Sequence, residues 1–345
     1  MKKGKLTAIL VGCGGISEAW LTANQTIDEL KIVGLIDLNL SATQQRKKEY
    51  GLAEAYTGTN IKVAIDTVRP DLVFDCTVPG AHMSIATTAM EMGCNVFGEK
   101  PLADSLDNAR KIVETMQKTG RIHAVMQNRR YLAGSRRMQA FLKNGVVGAL
   151  TTLNADFYLG AHFGGFRDHM EHVLLLDMAI HTLDLGRMLV NANPVSVYCK
   201  EWNPTGSWYD HDASAIAIFE FDNGVVFTYR GSWCAEGLNT SWESNWRAIG
   251  TKGSVLWDGN DEFKIETVKT TGGFISALEM KDMPPMKEGT IIGGHNGAIR
   301  SFVLAMLNAE NPETIATDNF KSLAMVMAAI ESAETGQPVK IQTLE

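Results

Sequence analysis

The 345-residue chain lacks features that mark several classes of protein. Its five cysteines are scattered and odd in number, and no two have the Cys-x-x-Cys spacing of metal or redox sites. We therefore expect buried, reduced thiols in a reducing compartment. No stretch approaches the roughly 18 apolar residues of a membrane helix. The first apolar run stops at Gly12 and is too short for a signal peptide, so we expect a cytoplasmic protein.

An excess of basic residues is also missing. The chain has 32 Lys and Arg against 39 Asp and Glu, which gives a formal net charge of −7. Proteins that bind nucleic-acid or lipid phosphates usually present a basic surface, so neither partner is expected. Hydrophobic residues make up 45% of the chain, which excludes intrinsic disorder. At roughly 100–200 residues per domain, the length favours two domains.

Strands and helices alternate through the first third of the chain. The predicted strands are Leu6–Val11, Lys31–Ile36, Asp71–Cys76, Cys94–Phe97 and Ile122–Gln127. Their nearly continuous apolar character, with helices between them, indicates a parallel sheet that is covered on both faces. Ser41 and Gln44 have the spacing of a capping box at the start of one helix. We predict a first α/β domain over residues 1–127.

The pattern changes after residue 127. A helix is predicted over residues 174–189, and strands dominate the sequence that follows it. Asp222-Asn223-Gly224 and the four residues 250–253 each separate two apolar runs, which indicates two β-hairpins. We predict an α+β domain with a mostly antiparallel sheet over residues 128–345.

A glycine motif between the first strand and the first helix predicts a nucleotide site. In Gly12-Cys13-Gly14-Gly15-Ile16-Ser17, the first glycine permits a tight turn and Gly14 lets the backbone approach a pyrophosphate. Ser17 replaces the usual third glycine or alanine but is small enough for that position. The alternative is a glycine turn that binds no ligand.

Asp37 ends the second predicted strand, where a carboxylate can accept hydrogen bonds from the adenosine ribose. The same charge would repel a 2′-phosphate, and Leu38 and Asn39 offer no cation in its place. NAD is therefore favoured over NADP. The cofactor contacts predicted in this region are Gly12, Gly14, Gly15, Ile16 and Asp37.

Two further patterns predict chemistry. Glu99-Lys100-Pro101 directly follows a parallel strand, and ligands bind at the carboxyl ends of such strands. Asp177 and His181 are four residues apart on the predicted helix of residues 174–189, so they share one face. The alternatives are an ordinary loop lysine and a buried histidine with a structural role.

Together these motifs resemble the glucose–fructose oxidoreductase/inositol dehydrogenase/rhizopine catabolism (Gfo/Idh/MocA) family. The glycine motif, Glu99-Lys100-Pro101 and Asp177-x-x-x-His181 occur in the family's order, and the resemblance covers the whole chain. Residues 77–82 also resemble the family's loop beside the cofactor.

The resemblance implies a doubly wound Rossmann domain followed by a substrate-binding and oligomerisation domain with an open, mostly antiparallel sheet. A homodimer or homotetramer is implied, with Lys100, Asp177 and His181 as the catalytic residues. The further cofactor contacts expected from the likeness and from position are Thr77, Pro79, His82, Glu99, Lys100 and Asn128.

The chemistry of alcohol oxidation agrees with these roles. A histidine can remove the O–H proton near neutral pH, so we hypothesise His181 as the base. Lys100 can stabilise negative charge that develops on the same oxygen, although the sequence leaves open which of the two is the base. Asp177 can hold a neighbouring hydroxyl or orient His181.

Several weaker signals surround these residues. Arg167, in a glycine-bearing loop, is a candidate substrate contact, and the resemblance implies the same for Tyr131, which follows the last predicted Rossmann strand where members of the family line the cleft. The substrate contacts expected in all are Lys100, Tyr131, Arg167, Asp177 and His181. Histidines crowd residues 162–181, but no His-Glu-x-x-His motif is present and no metal is expected. Six of the seven tryptophans lie between Trp202 and Trp257, where they could form the sheet core or stack on sugars.

Three functions remain open at this point. The first is an NAD-dependent oxidoreductase that acts on a secondary alcohol of a sugar, cyclitol or glycoside. The second is a glycoside hydrolase or lyase that oxidises its sugar transiently and recycles the cofactor. The third is a non-catalytic NAD-binding sensor, which would predict a broken catalytic set, whereas Lys100, Asp177 and His181 are all present.

Overall fold

A computed structural model describes residues 4–344. The chain separates into two compact units. The first comprises the described residues up to Tyr131 together with Ile291–Leu323 and Leu344, and the second comprises Leu132–Thr290 and Ala324–Thr343.

The first unit is built on a six-stranded parallel sheet in the order β3-β2-β1-β4-β5-β6. Its strands are β1 (Leu6–Val11), β2 (Leu30–Ile36), β3 (Tyr56–Gly58), β4 (Leu72–Asp75), β5 (Asn95–Gly98) and β6 (His123–Val125). The helices between them are α1 (Ser17–Asn24), α2 (Leu40–Glu49), α3 (Ile61–Val68), α4 (Pro79–Glu91) and α5 (Leu106–Thr119). A short 3-10 turn, Asn128–Tyr131, follows β6. The predicted Rossmann fold is confirmed.

The start of α2 differs from the prediction. The N-cap is Asn39, whose side chain accepts a hydrogen bond from the backbone N–H of Ser41 at 3.1 Å. Asn39 has extended backbone angles, which suit an N-cap, whereas Ser41 already lies inside the helix. The predicted capping box at Ser41 is therefore wrong by two residues.

The first unit also takes in a late segment of the chain. Helix α8 (His295–Asn308) belongs to this unit, and Phe302 on it stacks on Phe97 of β5 with ring centroids 4.6 Å apart. Trp20 of α1 packs against Phe97 and Phe74 at 5.0 and 5.1 Å. The sequence assigned every residue after 127 to the second domain, but these aromatic contacts bring residues 291–323 into the first core.

The second unit contains a nine-stranded sheet in the order β14-β13-β12-β11-β7-β10-β9-β8-β15. Its strands are β7 (Leu150–Tyr158), β8 (Pro194–Trp202), β9 (Ser214–Phe221), β10 (Val226–Ser232), β11 (Asn245–Gly250), β12 (Gly253–Trp257), β13 (Phe263–Thr270), β14 (Ala277–Lys281) and β15 (Val339–Lys340). Its helices are α6 (Ala133–Lys143) and α7 (Ile180–Val190), and α9 (Ala316–Thr335) runs from the first unit into the second.

Only the β7–β10 pair is parallel among the pairings described for this sheet. The mostly antiparallel sheet is thus confirmed, as are both hairpins. In the first, Gly224 takes a φ of +82° between β9 and β10, which suits glycine because it has no Cβ.

Aromatic rings form the core on one face of this sheet. Phe219, Phe227, Trp246, Trp257 and Phe263 form a ladder of stacked rings with successive centroids 5.7 to 6.2 Å apart. Trp246 and Trp257 are fully buried, so their first role is packing. Within residues 4–344, no helix is long and apolar enough to cross a membrane.

Candidate active site

The glycine turn after β1 has the geometry that a bound pyrophosphate requires. Gly12 has a φ of +91°, and a Cβ at that position would lie 2.6 Å from the carbonyl oxygen of Cys76. A Cβ at Gly14 or Gly15 would meet no atom within 4 Å, so their backbone faces open space. Helix α1 begins immediately afterwards, and its N-cap residue Ile16 supplies no side-chain hydrogen bond to the first turn. This helix N-terminus can therefore accept an anion.

Asp37 lies beside that turn. One carboxylate oxygen accepts a hydrogen bond from the Cys13 N–H at 2.7 Å, and the other accepts one from the Asn39 N–H at 2.8 Å. These bonds hold the carboxylate at the end of β2, where the ribose of a dinucleotide binds in this fold. The open turn and the fixed carboxylate fit NAD.

Arg46 of α2 is a cation near the turn that the sequence reading missed. Its guanidinium donates to the carbonyl oxygen of Gly14 at 3.2 Å and forms ion pairs with Glu18 at 2.8 Å and Glu49 at 2.7 Å. Two carboxylates already balance its charge, so Arg46 is a poor partner for a 2′-phosphate. Only its position nine residues beyond Asp37 on the following helix could have indicated it.

Lys100 follows β5, which is separated from β1 only by β4 in the sheet order. The carboxyl ends of neighbouring parallel strands share one sheet edge, so Lys100 and the glycine turn lie on the same edge. The adjacent Glu99 is buried and accepts a hydrogen bond from Trp20 Nε1 at 2.7 Å. Its other oxygen accepts from the Lys100 backbone N–H at 3.3 Å, which holds the base of the Lys100 side chain.

His295, the first residue of α8, joins this group. Its Nε2 lies 3.9 Å from Glu99 Oε1, and its Nδ1 lies 3.4 Å from the side-chain nitrogen of Asn128. Burial lowers the pKa of His295, although Glu99 opposes that effect. The preceding Gly293 and Gly294 both have positive φ, and the sequence predicts His295 and Asn296 as loop residues at the rim of a cleft. His295 thus lies against both Asn128 and Glu99, two of the residues predicted to contact the cofactor.

The loop after β4 holds three more predicted cofactor contacts. Asp75 accepts hydrogen bonds from both the backbone N–H and the hydroxyl of Thr77, at 3.0 and 2.5 Å. Pro79 is the first residue of α4. His82 is 1% exposed, and both of its ring nitrogens contact backbone carbonyl oxygens of the protein. Because both nitrogens are occupied, the structure does not support the predicted direct contact of His82 with the cofactor.

Tyr131 also differs from its prediction. It is 3% exposed, lies in the core of the first unit, and its hydroxyl is 3.2 Å from Ser301 Oγ. A side chain packed in this way has no surface left for a substrate. The structure therefore argues against the predicted substrate contact of Tyr131.

In the second unit, Asp177 has a partner that the sequence reading did not identify. Arg167 Nε donates to Asp177 Oδ2 at 2.7 Å, and the guanidinium also reaches Oδ1 at 3.4 Å. The same guanidinium lies over the rings of Phe163 and Phe166, at 4.9 and 4.8 Å from their centroids. The pairing places the predicted residues Arg167 and Asp177 together.

The helix that carries Asp177 is not a regular α-helix throughout. Leu174–Ala179 is a π-helical turn, and α7 begins at Ile180, so Asp177 lies on the π turn and His181 on the first turn of α7. The prediction of one α-helix over residues 174–189 is wrong in this detail. Wide turns of this kind occur frequently at functional sites because they shift side chains out of the regular register.

Family models match both parts of the chain. Residues 6–127 match the Gfo/Idh/MocA oxidoreductase family with an NAD-binding Rossmann fold, and residues 135–256 match the Gfo/Idh/MocA C-terminal domain. The chain belongs to the Gfo/Idh/MocA oxidoreductase family. The predicted family and the predicted cofactor, NAD, are confirmed.

Two curated relatives of this Gfo/Idh/MocA member are named for activities on sugar-type substrates. It is 22% identical over 340 residues to the 1,5-anhydro-D-fructose reductase of Ensifer adhaerens, which covers 97% of this chain and 98% of the relative. It is 26% identical over 248 residues to the D-glucoside 3-dehydrogenase of Escherichia coli, which covers 66% of this chain and 70% of the relative.

A solved structure has the same fold. An oxidoreductase from Agrobacterium radiobacter, solved with NAD+, L-tartaric acid and magnesium, superposes with a TM-score of 0.84 at 20% identity and covers 98% of each chain. Among residues 4–344 of this family member, no group of three or more His, Cys, Asp or Glu side chains is placed to hold a metal ion.

Proposed function

We propose that this protein is an NAD-dependent dehydrogenase that oxidises a secondary alcohol of a sugar, cyclitol or glycoside. The observation that carries the proposal is the position of Lys100 on the same sheet edge as the glycine turn and Asp37. An ammonium placed beside a dinucleotide site suits a reaction in which negative charge develops on an alcohol oxygen. Bound NAD would supply the hydride acceptor, which no side chain can provide.

The remaining roles belong to the second unit. We propose that His181 removes the hydroxyl proton while Lys100 stabilises the resulting charge on the same oxygen. Arg167 holds both oxygens of Asp177, so that carboxylate has a fixed direction and can accept a hydrogen bond from a neighbouring hydroxyl. Fixed donors and acceptors of this kind suit a substrate that carries several hydroxyl groups.

Exposed aromatic rings next to Arg167 support a carbohydrate substrate. Phe163, Phe166 and Trp242 are 41%, 68% and 52% exposed, although large aromatic side chains are usually buried. Trp242 packs on the buried Trp233 at 5.7 Å, and Phe163 packs on it at 5.1 Å. These rings offer flat apolar surfaces for the C–H face of a sugar ring or for the aglycone of a glycoside.

We also propose a cytoplasmic homodimer or homotetramer. Exposed apolar side chains on neighbouring strands of the second sheet would be covered by a second copy; they are Tyr198, Ile216, Ile218 and Val226. Four of the five free cysteines are buried, which suits a reducing compartment.

The test is a spectrophotometric assay with the purified chain. The protein is incubated with NAD or NADP and a panel of inositols, aldoses and glycosides, and NADH formation is measured. We expect NADH with one substrate class and weak activity with NADP. Lys100→Met should lower kcat/KM by about 100-fold or more, because a group that stabilises charge in the transition state is lost. Lys118→Met, at an exposed lysine of α5, is the matched control and should leave kcat/KM unchanged.

Other results would change the assignment. Substrate conversion without net NADH would favour the hydrolase or lyase that recycles its cofactor. Tight NAD binding with no conversion of any compound would favour the sensor. A His181→Ala variant with unchanged turnover across the pH range would remove His181 as the base.

A further inference from the structure

His82 lies between two backbone carbonyl groups. Its Nδ1 is 2.8 Å from the carbonyl oxygen of Pro101, and its Nε2 is 3.0 Å from that of Thr77. A carbonyl oxygen can only accept hydrogen bonds. A neutral imidazole has one N–H donor and one acceptor nitrogen, so it could satisfy only one of these contacts. Both contacts are satisfied when both nitrogens carry a proton.

The surroundings can balance the resulting positive charge. His82 is 1% exposed, and a buried charge is costly unless it is paired. Asp75 lies within electrostatic reach and is fully buried, and no hydrogen-bond partner is found for its Oδ2 within residues 4–344. Burial raises the pKa of Asp75, while His82 acts in the opposite direction and Glu99 adds to the effect of burial. A cation at His82 therefore favours the ionised form of Asp75, and that carboxylate can balance its charge.

A further titratable group near His82 is His123 of β6. Burial, together with the nearby His82, lowers the pKa of His123 to about 3, so that ring stays neutral. Asp75, at the end of β4, is the carboxyl group that interacts electrostatically with His82.

We propose that His82 is a doubly protonated positioning residue that links the cofactor turn to the loop of Lys100. Thr77 lies against the glycine turn, since a Cβ on Gly12 would come within 2.9 Å of its backbone nitrogen. Pro101 directly follows Lys100. One imidazolium therefore fixes the backbone on both sides of the sheet edge where NAD and the alcohol oxygen would meet. The effect on catalysis rests on the proposed dehydrogenase function, whereas the protonation state does not.

The protonation state can be seen directly. Neutron diffraction from crystals of the full chain with NAD, grown at about pH 7, which is above the usual histidine pKa of about 6.5, locates deuterium on each ring nitrogen. We expect deuterium on both nitrogens of His82 and on at most one nitrogen of His123. Deuterium on only one nitrogen of His82 would overturn the proposal, whatever reaction the enzyme catalyses.

The positioning role needs a kinetic test. His82→Gln keeps a donor but cannot span both carbonyls, so we expect kcat to fall about 10- to 100-fold, as is common when a supporting residue is lost, with a much smaller change in the KM for NAD. His211→Gln, at an exposed histidine, is the control and should leave both constants unchanged. A His82→Gln enzyme with the wild-type kcat would refute the positioning role. If that variant does not fold, the neutron measurement on the wild-type chain still decides the protonation state.

Discussion

Asp37 shows how one side chain can serve both the fold and cofactor choice. Its two oxygens accept hydrogen bonds from the N–H groups of Cys13 and Asn39, so it supports the glycine turn in addition to any contact with a ribose. A change that removes the charge but keeps an acceptor oxygen can separate these two roles.

Asp37→Asn should relax the preference for NAD. The amide oxygen can keep the hydrogen bond from Cys13, the bond from the Asn39 N–H is lost, and the negative charge that repels a 2′-phosphate is gone. We expect the ratio of kcat/KM for NAD to that for NADP to fall about tenfold or more, which corresponds to about 1.4 kcal/mol. Steady-state kinetics with both cofactors measures the ratio, and Asp28→Asn, at an exposed aspartate, is the control. An unchanged ratio would show that Asp37 does not select the cofactor.

At the scale of elements, the π turn Leu174–Ala179 depends on how the chain enters it. His172 lies just before the turn with a φ of +51°, which is unusual for a residue other than glycine. Its Nδ1 is 2.6 Å from Glu201 of β8, and its Nε2 is 3.4 Å from Glu334 of α9. The hydrogen bond to Glu201 is the main cause that raises the pKa of His172. These contacts of His172 therefore hold in place the segment that leads to Asp177.

The coupling between His172 and Glu201 should depend on pH. Because the pKa of His172 is raised in the folded state, its stabilisation is fully present below the unfolded value of about 6.5 and is lost as the pH rises through the folded pKa. A double-mutant cycle with His172→Asn and Glu201→Gln should give a coupling free energy of about 1–2 kcal/mol at about pH 6 and a smaller coupling free energy at high pH. Asparagine tolerates positive φ, so the cycle adds little backbone strain. Chemical denaturation measures the free energy of unfolding of the wild type, the two single variants and the double variant. A coupling free energy that is constant with pH would contradict this account.

At the scale of the whole molecule, the first core is completed by a part of the chain that comes after the second sheet. Phe302 is 1% exposed and stacks on Phe97, although about 200 residues separate them in the sequence. The first unit therefore depends on α8, and a fragment that ends at residue 127 would leave Phe97 without this partner.

Phe302→Ala should destabilise the first unit. Truncation of a buried phenylalanine costs about 3–5 kcal/mol because apolar contacts are lost and a cavity remains. Phe274→Ala is the matched control, since Phe274 is fully exposed and its loss should cost less than about 0.5 kcal/mol. Thermal unfolding, with and without NAD, measures the stability of both variants. A Phe302→Ala protein as stable as the Phe274→Ala protein would show that α8 does not support this core.

Features that depend on consecutive residues could be predicted from the sequence, whereas contacts between residues far apart in the chain could not. Gly12 and Gly224 were recognised because the positive φ of a glycine turn depends on consecutive residues. Tyr131 was assigned to the substrate from its place along the chain, and the core around it could not be read from neighbouring residues. Arg167 and Asp177 were both suspected, but their pairing depends on a π turn for which the sequence carries no clear signal.

The sequence by itself determined the family, the parallel and antiparallel sheets, and the turn and acid that fit NAD. Each of these depends on local patterns: apolar runs, turn residues, and short motifs in a fixed order. Tertiary structure alone decided that α8 completes the first core, that Arg167 holds Asp177, and that His82 lies between Thr77 and Pro101. Those contacts join side chains to other segments of the folded chain. Their energies depend on the burial and orientation of the groups in contact, which a linear sequence does not display.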